Sequence, residues 1–354
     1  MNEIKFPGLG IELTVNETAF TLFGLEIKWY GVIITTGILL AFLLFYYLGV
    51  KKEMLDADSV YNITLLVMPI AIIGARFVYV ITEWDRFKGK GFLNMINIRQ
   101  GGIAIYGAII FGLATVLVYN KIKKQSSLSM LDALAPAVMV GQIIGRWGNF
   151  VNAEAYGWSE GVENLPWRME LEHVYIDGYL QRDIHCVHPT FLYESLWNAL
   201  GLALILIFLY RKKKFNGEIF FAYIGWYGLG RAYIETLRAD SLYIVGTLKF
   251  SVFVGIVCVI AAIIGEIVLY RRHKEEVSEM SDYKSEFATV KLALSKEENA
   301  LDDSVFEETE SEEAEEIEET EDISELEEED LEVLAEQDLL DGAPAEENES
   351  PEEE

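Results

Sequence analysis

Cysteine is scarce in this chain. Of 354 residues only Cys186 and Cys258 are cysteines; one sits in a polar loop and the other inside an apolar run. A disulfide between them would join different depths, so there is no framework to read and no statement about redox compartment. Lysine and arginine are absent from residue 301 onward, where 28 of the 57 acidic residues fall. The formal net charge of −29 therefore belongs almost wholly to the C-terminal tail, because residues 1–300 carry 28 basic and 29 acidic groups. No basic face with interleaved aromatics exists, which removes nucleic acid from the expected partners. Also missing is a basic N-terminal segment followed by a short apolar core and a small-residue cleavage site. The first apolar run begins near Trp29, is long enough to span a bilayer, and is expected to remain as an uncleaved anchor.

Hydrocarbon is what the chain has in abundance. Seven stretches, approximately 29–50, 60–81, 102–119, 131–149, 190–210, 218–235 and 247–270, have the length and apolarity of spanning helices, which need about 20 residues to cross roughly 30 Å of hydrocarbon. The first, fifth and seventh are nearly pure. The others are interrupted by Gly, Pro or charge, as helices facing a protein interior are. Gly141 and Gly145 form a small-xxx-small pair, read equally well as packing or as function. Lys51 and Lys52, then Lys121, Lys123 and Lys124, then residues 211–214, then Arg271, Arg272 and Lys274 mark alternate loops as cytoplasmic. The loop after the second stretch, with Arg86, Lys88, Lys90 and Arg99, breaks that pattern. The expectation is an all-α polytopic membrane protein of about seven transmembrane helices, N-out and C-in. Residues 1–28 form an external arm, 29–272 the transmembrane body, and the loop 151–189 a small external cap. Trp158, Trp167 and Tyr175 in that loop read as an interface belt. The acidic tail, 273–354, has too little apolar matter to bury and is expected to be disordered. Leu326, Leu331, Leu334 and Leu339 offer at most a short docking helix for an unknown partner.

Two arginines stand out because they sit inside helix-length apolar stretches. A charge near mid-bilayer costs roughly 2.5–3.5 kcal/mol on insertion scales, so it is seldom there without a partner or a task. Arg146 lies in G-R-W-G-N-F-V-N-A-E, residues 145–154, and Arg231 in Y-G-L-G-R-A-Y-I-E, residues 227–235. Tyr227, Arg231 and Glu235 follow at i, i+4 and i+8, on one face, with Arg238 three residues later. The bland reading is an internal Arg231–Glu235 ion pair. Arg146, Asn149, Asn152 and Glu154 gather four polar groups within ten residues, and Gly145 and Gly148 leave the backbone open beside them. Glu194 in the fifth stretch needs a partner, for which an arginine would serve. Gly101 and Gly102 open the third stretch, and Tyr30 starts the first. Two cationic centres point to an intramembrane anion, and in a membrane the abundant anion is a lipid phosphate.

The motif at 145–154 closely resembles the signature G-R-x-G-N-F-x-N-x-E of the prolipoprotein diacylglyceryl transferases. W-Y-G at 29–31, Q-G-G-I-A-I at 100–105, H-P-T-F-L-Y-E at 188–194 and the 227–235 block are similar to further family blocks in the same order. The resemblance covers about residues 4–272. It implies transfer of the diacylglyceryl group of phosphatidylglycerol to the lipobox cysteine thiol of a prolipoprotein signal peptide, with release of glycerol phosphate. It also implies a bacterial plasma-membrane location among membrane lipids, and no cofactor or metal. Carried over by matching motif, Tyr30, Arg146, Asn149, Glu154, Tyr227, Arg231 and Glu235 fall on functional positions. Asn152 and Arg238 stand behind them, and Gly101, Gly102 and His188 lie in substrate-binding blocks. Many members carry a histidine just before the Gly-Gly pair or four residues beyond it, where this chain has Gln100 and Tyr106. The proton acceptor is therefore open between Tyr30, Tyr106 and a water held by Glu154. An anion transporter or a non-catalytic scaffold are the competing classes.

Overall fold

A computed structural model of the chain describes residues 2–98, 101–176, 179–181, 185–240, 243–245 and 248–309. The chain divides into two units, residues 1–279 and 280–354.

In the first unit the body is helical. Its long helices are α1 (Trp29–Lys51), α2 (Ala57–Thr82), α3 (Ile105–Lys123), α4 (Ser127–Val151), α5 (Thr190–Leu204, running through a π-helical turn to Lys212), α6 (Glu218–Leu237) and α7, which begins at Phe250. Among the described residues six of them are long and apolar enough to cross a membrane, and α6 is not one of the six. The chain is thus a multi-pass membrane protein. The most apolar window of α7 is 11 % buried and that of α4 is 50 % buried, so α4 is the central helix and α7 a peripheral one. α1 lies along the glycine edge of α4, where Gly37 faces Gly141 and Ile144, Ile34 meets Gly145, and the Tyr30 ring rests on Gly148. A Cβ at Gly141 would meet nothing within 4 Å and one at Gly145 only Ile34 at 3.6 Å, so close packing by itself does not demand glycine at either position.

Because successive helices reverse direction, the starts of α1, α3, α5 and α7 share one end of the bundle with the finishes of α2, α4 and α6. The far end is held by an apolar cluster including Phe45, Leu48, Val60, Met130 and Ala133 and by a buried charge group. There Lys213 pairs with Glu53 and, at 2.8 Å, with fully buried Asp132. Asp132 also accepts from the backbone N–H groups of Gly217 (2.6 Å) and Phe220 (2.8 Å), satisfying donors that the first turn of α6 would leave orphaned. That cap fixes the start of the helix whose other end carries Arg231.

The near end of the mostly helical body is covered by a small cap of β-structure. The N-terminal arm supplies β1 (Asn2–Phe6) and β2 (Ile11–Val15), followed by a hairpin of β3 (Thr18–Leu22) and β4 (Leu25–Lys28). The loop after α4 supplies β5 (Met169–Leu171) and β6 (Cys186–Val187), and the sheet order is β2-β1-β5-β6. Ile4 pairs with Leu171, and Met169 with Val187, all antiparallel. Alternation aims Ile4, Phe6, Met169, Leu171 and Val187 into one small core with Tyr156 and Phe191. Apolar patterning in the arm was too short and too broken by Pro7, Gly8 and Gly10 to announce a sheet whose partner strand lies far along the chain.

In the second unit the residues described, 280–309, are helical, the continuation of α7 (Phe250–Thr309). The described part of the expected tail, residues 273–309, belongs to this helix. No Gly or Pro interrupts residues 266–341, and Ala, Lys, Glu, Met and Leu are good helix formers. Leu326, Leu331, Leu334 and Leu339 lie outside the described residues.

Candidate functional site

The near end of the bundle collects one ionic cluster from three helices. Glu194, in the first turns of α5, is its centre. One carboxylate oxygen pairs with Arg146 Nη2 from α4; the other accepts from Arg231 Nη1 of α6 at 3.1 Å and from Arg238 Nη1 at 3.4 Å. Arg231 Nη2 also meets Glu235 Oε2 at 2.7 Å and the Ser251 hydroxyl at 3.1 Å. Arg238, just past α6, pairs with Asp240 through two guanidinium nitrogens, at 2.7 and 3.0 Å. Burial works against the Arg238 charge, but the Asp240 carboxylate outweighs it and leaves the guanidinium pKa raised. Lys249 donates to the carbonyls of Glu235 (2.7 Å) and Arg238 (2.8 Å), a cation closing a helix C-terminus. Four cations thus stand against Glu194, Glu235 and Asp240.

Two interlocking tryptophans set the register of this cluster. Trp197 on α5 and Trp226 on α6 stack at 4.4 Å, and each indole N–H donates to the other's carbonyl, at 3.0 and 2.9 Å. Trp226 lies against Gly201 and Trp197 against Gly230, positions at which any Cβ would collide with the indole. One turn from Trp197 is Glu194, and next to Gly230 is Arg231, so the tryptophan lock dictates that these two meet.

The cluster has an inner and an outer side. Glu235 is 2 % exposed and its carboxylate pairs with Arg231 and Arg238, which makes it a positioning residue rather than a group facing substrate. Tyr227, one turn before Arg231, lines with Glu194, Trp197, Asn198, Gly230, Arg231 and Ile234 a cavity of about 10 Å³, roughly one water in size. No headgroup fits there. On the outer side, Arg146 Nη1 reaches Asn149 Oδ1 at 3.3 Å, and Asn149 and Asn152 both donate to Glu154 Oε1, at 3.0 and 3.3 Å. Glu154 is exposed and sits between Ala153 and Ala155, both at positive φ (50° and 57°). Such backbone is costly for a residue with a Cβ and recurs where geometry is dictated by function. Tyr30 lies over Gly148, within Coulombic reach of Arg146 and Glu154.

The other expected residues distribute unevenly. Tyr106 joins the cluster at one remove: its hydroxyl is 3.3 Å from Ser251, which binds Arg231. His188 does not join it. Its Nδ1 is 3.1 Å from the Tyr193 hydroxyl, its backbone bonds Gly157 and Trp158, and burial lowers its pKa. Gln100 lies outside the described residues. Gly101 and Gly102 both take φ of +79°, and their carbonyls accept from Arg76 at 2.8 and 2.7 Å.

Arg76 was missed by sequence reasoning. It is a third arginine within a long helix of the body, 7 % exposed, and its further donors reach the carbonyls of Met95 (2.7 Å) and Asn94 (3.0 Å). Its signal was legible, a lone charge in an apolar run, but no motif accompanied it. It clasps the loop that leads into α3 and Tyr106. Ser251, Lys249 and Asp240 were also missed; short polar residues beside a helix end carry no distinguishing pattern.

Residues 17–268 match the sequence model of a family described as prolipoprotein diacylglyceryl transferase. Three curated proteins, each named phosphatidylglycerol–prolipoprotein diacylglyceryl transferase, are similar to most of the chain. That of Lysinibacillus sphaericus is 42 % identical over 266 residues, covering 74 % of this chain and 94 % of that protein. That of Finegoldia magna is 44 % identical over 253 residues, covering 72 % and 95 %. That of Clostridium botulinum strain Langeland is 41 % identical over 252 residues, covering 70 % and 95 %.

Proposed function

Because the chain belongs to the prolipoprotein diacylglyceryl transferase family, we propose that the arginine cluster holds the phosphate of its lipid substrate while the diacylglyceryl group changes hands. The protein is a membrane transferase that moves that group from phosphatidylglycerol to a prolipoprotein, the first step of lipoprotein maturation. The acceptor is the lipobox cysteine of the signal peptide. The membrane is the bacterial plasma membrane, with the cap and the N-terminal arm outside.

In the reaction the thiolate sulfur bonds to the glycerol carbon as the C–O bond to phosphate breaks. The phosphodiester, charge −1, leaves as a monoester approaching −2. Guanidiniums on the phosphate therefore attract the leaving group more than the intact lipid, which lowers the barrier instead of only aiding binding. The observation that carries this reading is the position of Arg146. It is the cluster's arginine that touches both the inner carboxylate Glu194 and the outer chain of Asn149, Glu154 and Asn152. Its side chain is 23 % exposed against 14 % for Arg231 and 10 % for Arg238. Phosphate gains Arg146 by exchange with Glu194, and Arg231 supplies the second contact from behind. Glu235 and Asp240 keep Arg231 and Arg238 paired during that exchange, and Asn149 and Asn152 orient Glu154.

A thiol of pKa about 8.5 is mostly protonated at neutral pH, so the nucleophile needs a base or a positive field. Glu154 is the best placed acceptor. Its Oε1 takes both amides, and Oε2 has no hydrogen-bond partner among the described residues. Tyr30 beside it and Tyr106 beyond Ser251 are the alternatives.

The test is thioether formation by the purified full chain with phosphatidylglycerol and a lipobox peptide, read by mass spectrometry. Arg146→Lys and Arg231→Lys should each lower turnover ten-fold or more, because a point charge does not reproduce the planar fork. Wild-type turnover in both variants would overturn the phosphate assignment; anion flux without covalent product would overturn the transferase reading of the cluster.

A further inference from the structure

The helix segment that follows the last span along the chain carries an exposed apolar seam. Met280, Tyr283, Phe287, Val290 and Leu294 recur at alternating steps of three and four, the a/d spacing of a coiled coil. All five are exposed, from 51 % for Val290 to 68 % for Tyr283.

The residues flanking this seam are charged in a specific order. With Met280 at position a, the g positions are Glu279 and Glu286, and the e positions are Lys284 and Lys291. None of the four has an opposite charge three or four residues away in its own helix, where an intrahelical pair would form. None forms an ion pair among the described residues. Between two parallel, in-register copies each g residue meets the e residue five positions on. Glu279 of one copy then faces Lys284 of the other, and Glu286 faces Lys291, in both directions. An antiparallel pair would set Glu against Glu and Lys against Lys. Two copies inserted the same way into one membrane begin this segment on the same side, so parallel is also the arrangement that their chain path permits.

We propose that residues 279–294 pair with the same segment of a second copy as a parallel two-stranded coiled coil, making the protein a homodimer through its extramembrane helix. Two heptads are too short to hold soluble chains together at low concentration. Confinement of both copies to one bilayer supplies the effective concentration that a short seam lacks. The proposal is independent of the transferase chemistry.

The experiment uses the full-length protein in lipid vesicles, with Cys186 and Cys258 replaced by Ser and one new cysteine on the helix. Under mild oxidation Phe287→Cys, on the seam, should form disulfide-linked dimers at least ten-fold more than Ser285→Cys, on the outer face. Glu279→Lys with Glu286→Lys should lower the Phe287→Cys cross-link at least five-fold. Co-reconstitution with a copy carrying Lys284→Glu and Lys291→Glu should restore it as the mixed dimer. Equal cross-linking at 285 and 287, or indifference to charge reversal, would overturn the pairing. So would a monomer whose residue-287 thiol is shielded from reagent by anionic vesicles, since the seam would then lie on lipid.

Discussion

Replacing Glu194 with Gln removes one negative charge from among three guanidiniums while keeping the side chain's size. Its contacts are Arg231 at 3.1 Å, Arg238 at 3.4 Å and Arg146 on the other oxygen. At an effective dielectric of about 20, a pair at this separation is worth about 5 kcal/mol before desolvation. Desolvation of both partners cancels much of that in the intact protein, but the variant keeps the desolvated cations and loses their counter-charge. Removing one partner of a buried pair typically destabilises by about 3–5 kcal/mol, and that is the expected loss here. The assay is a double-mutant cycle of Glu194→Gln with Arg146→Gln and with Arg231→Gln, following unfolding in lipid–detergent micelles and transfer activity in vesicles. Coupling above about 1 kcal/mol is expected with each arginine, well beyond the additivity of independent sites. Arg231→Gln should destabilise more than Arg146→Gln, since Arg231 is the more enclosed. Additivity within about 0.5 kcal/mol for both pairs would refute the claim that Glu194 holds the two arginines together.

Gly230→Ala forces a methyl group into the Trp197 indole and should cost about 1–3 kcal/mol as an overpacked contact. Activity should fall with it because the Glu194–Arg231 register depends on that lock; a smaller residue at Trp197 in the same chain should recover part of the stability but not the register. For Cys186, burial and then the neighbouring Glu170 carboxylate raise the thiol pKa. Alkylation at pH 8 should be slower than that of a free cysteine, and Glu170→Gln should speed it, an acceleration whose absence would remove Glu170 as a cause. Burial lowers the pKa of His188 below its ordinary 6.5, so the folded cap favours the neutral ring. Its contribution to stability is fully present above about pH 6.5 and is lost as pH falls through the lowered folded value. Amide protection at Gly157 and Trp158 should therefore drop on acidification, and His188→Gln should flatten that dependence; identical pH profiles would exclude the histidine.

The legibility of the site in the sequence was uneven, for identifiable reasons. The pair Arg231–Glu235 is a local i,i+4 feature of one helix, and the Asn149–Glu154 chain is local to the end of another, so both could be read from spacing. Glu194 was visible as a carboxylate in need of a cation. That it serves three arginines at once was not, because these come from residues 146, 231 and 238. Arg76 showed the charge but not the purpose: its partners are backbone carbonyls of a loop, and carbonyls leave no trace in a sequence. The β-sheet of the cap was invisible for a related reason. Its central strand pairs with residues more than 160 positions away, and five-residue strands lack the length to declare themselves.

The sequence by itself determined the spans, their alternation, and hence that the starts of odd helices and the ends of even ones would share a side. Each of those properties is a sum over about 20 residues in contact with lipid, and lipid reads composition alone. Only the tertiary structure decided which charges pair, which oxygen each guanidinium takes, and which arginine is left nearest the outside. Those choices depend on how the helices meet, as in the fit of two tryptophans against two glycines between α5 and α6, and no local pattern encodes a fit.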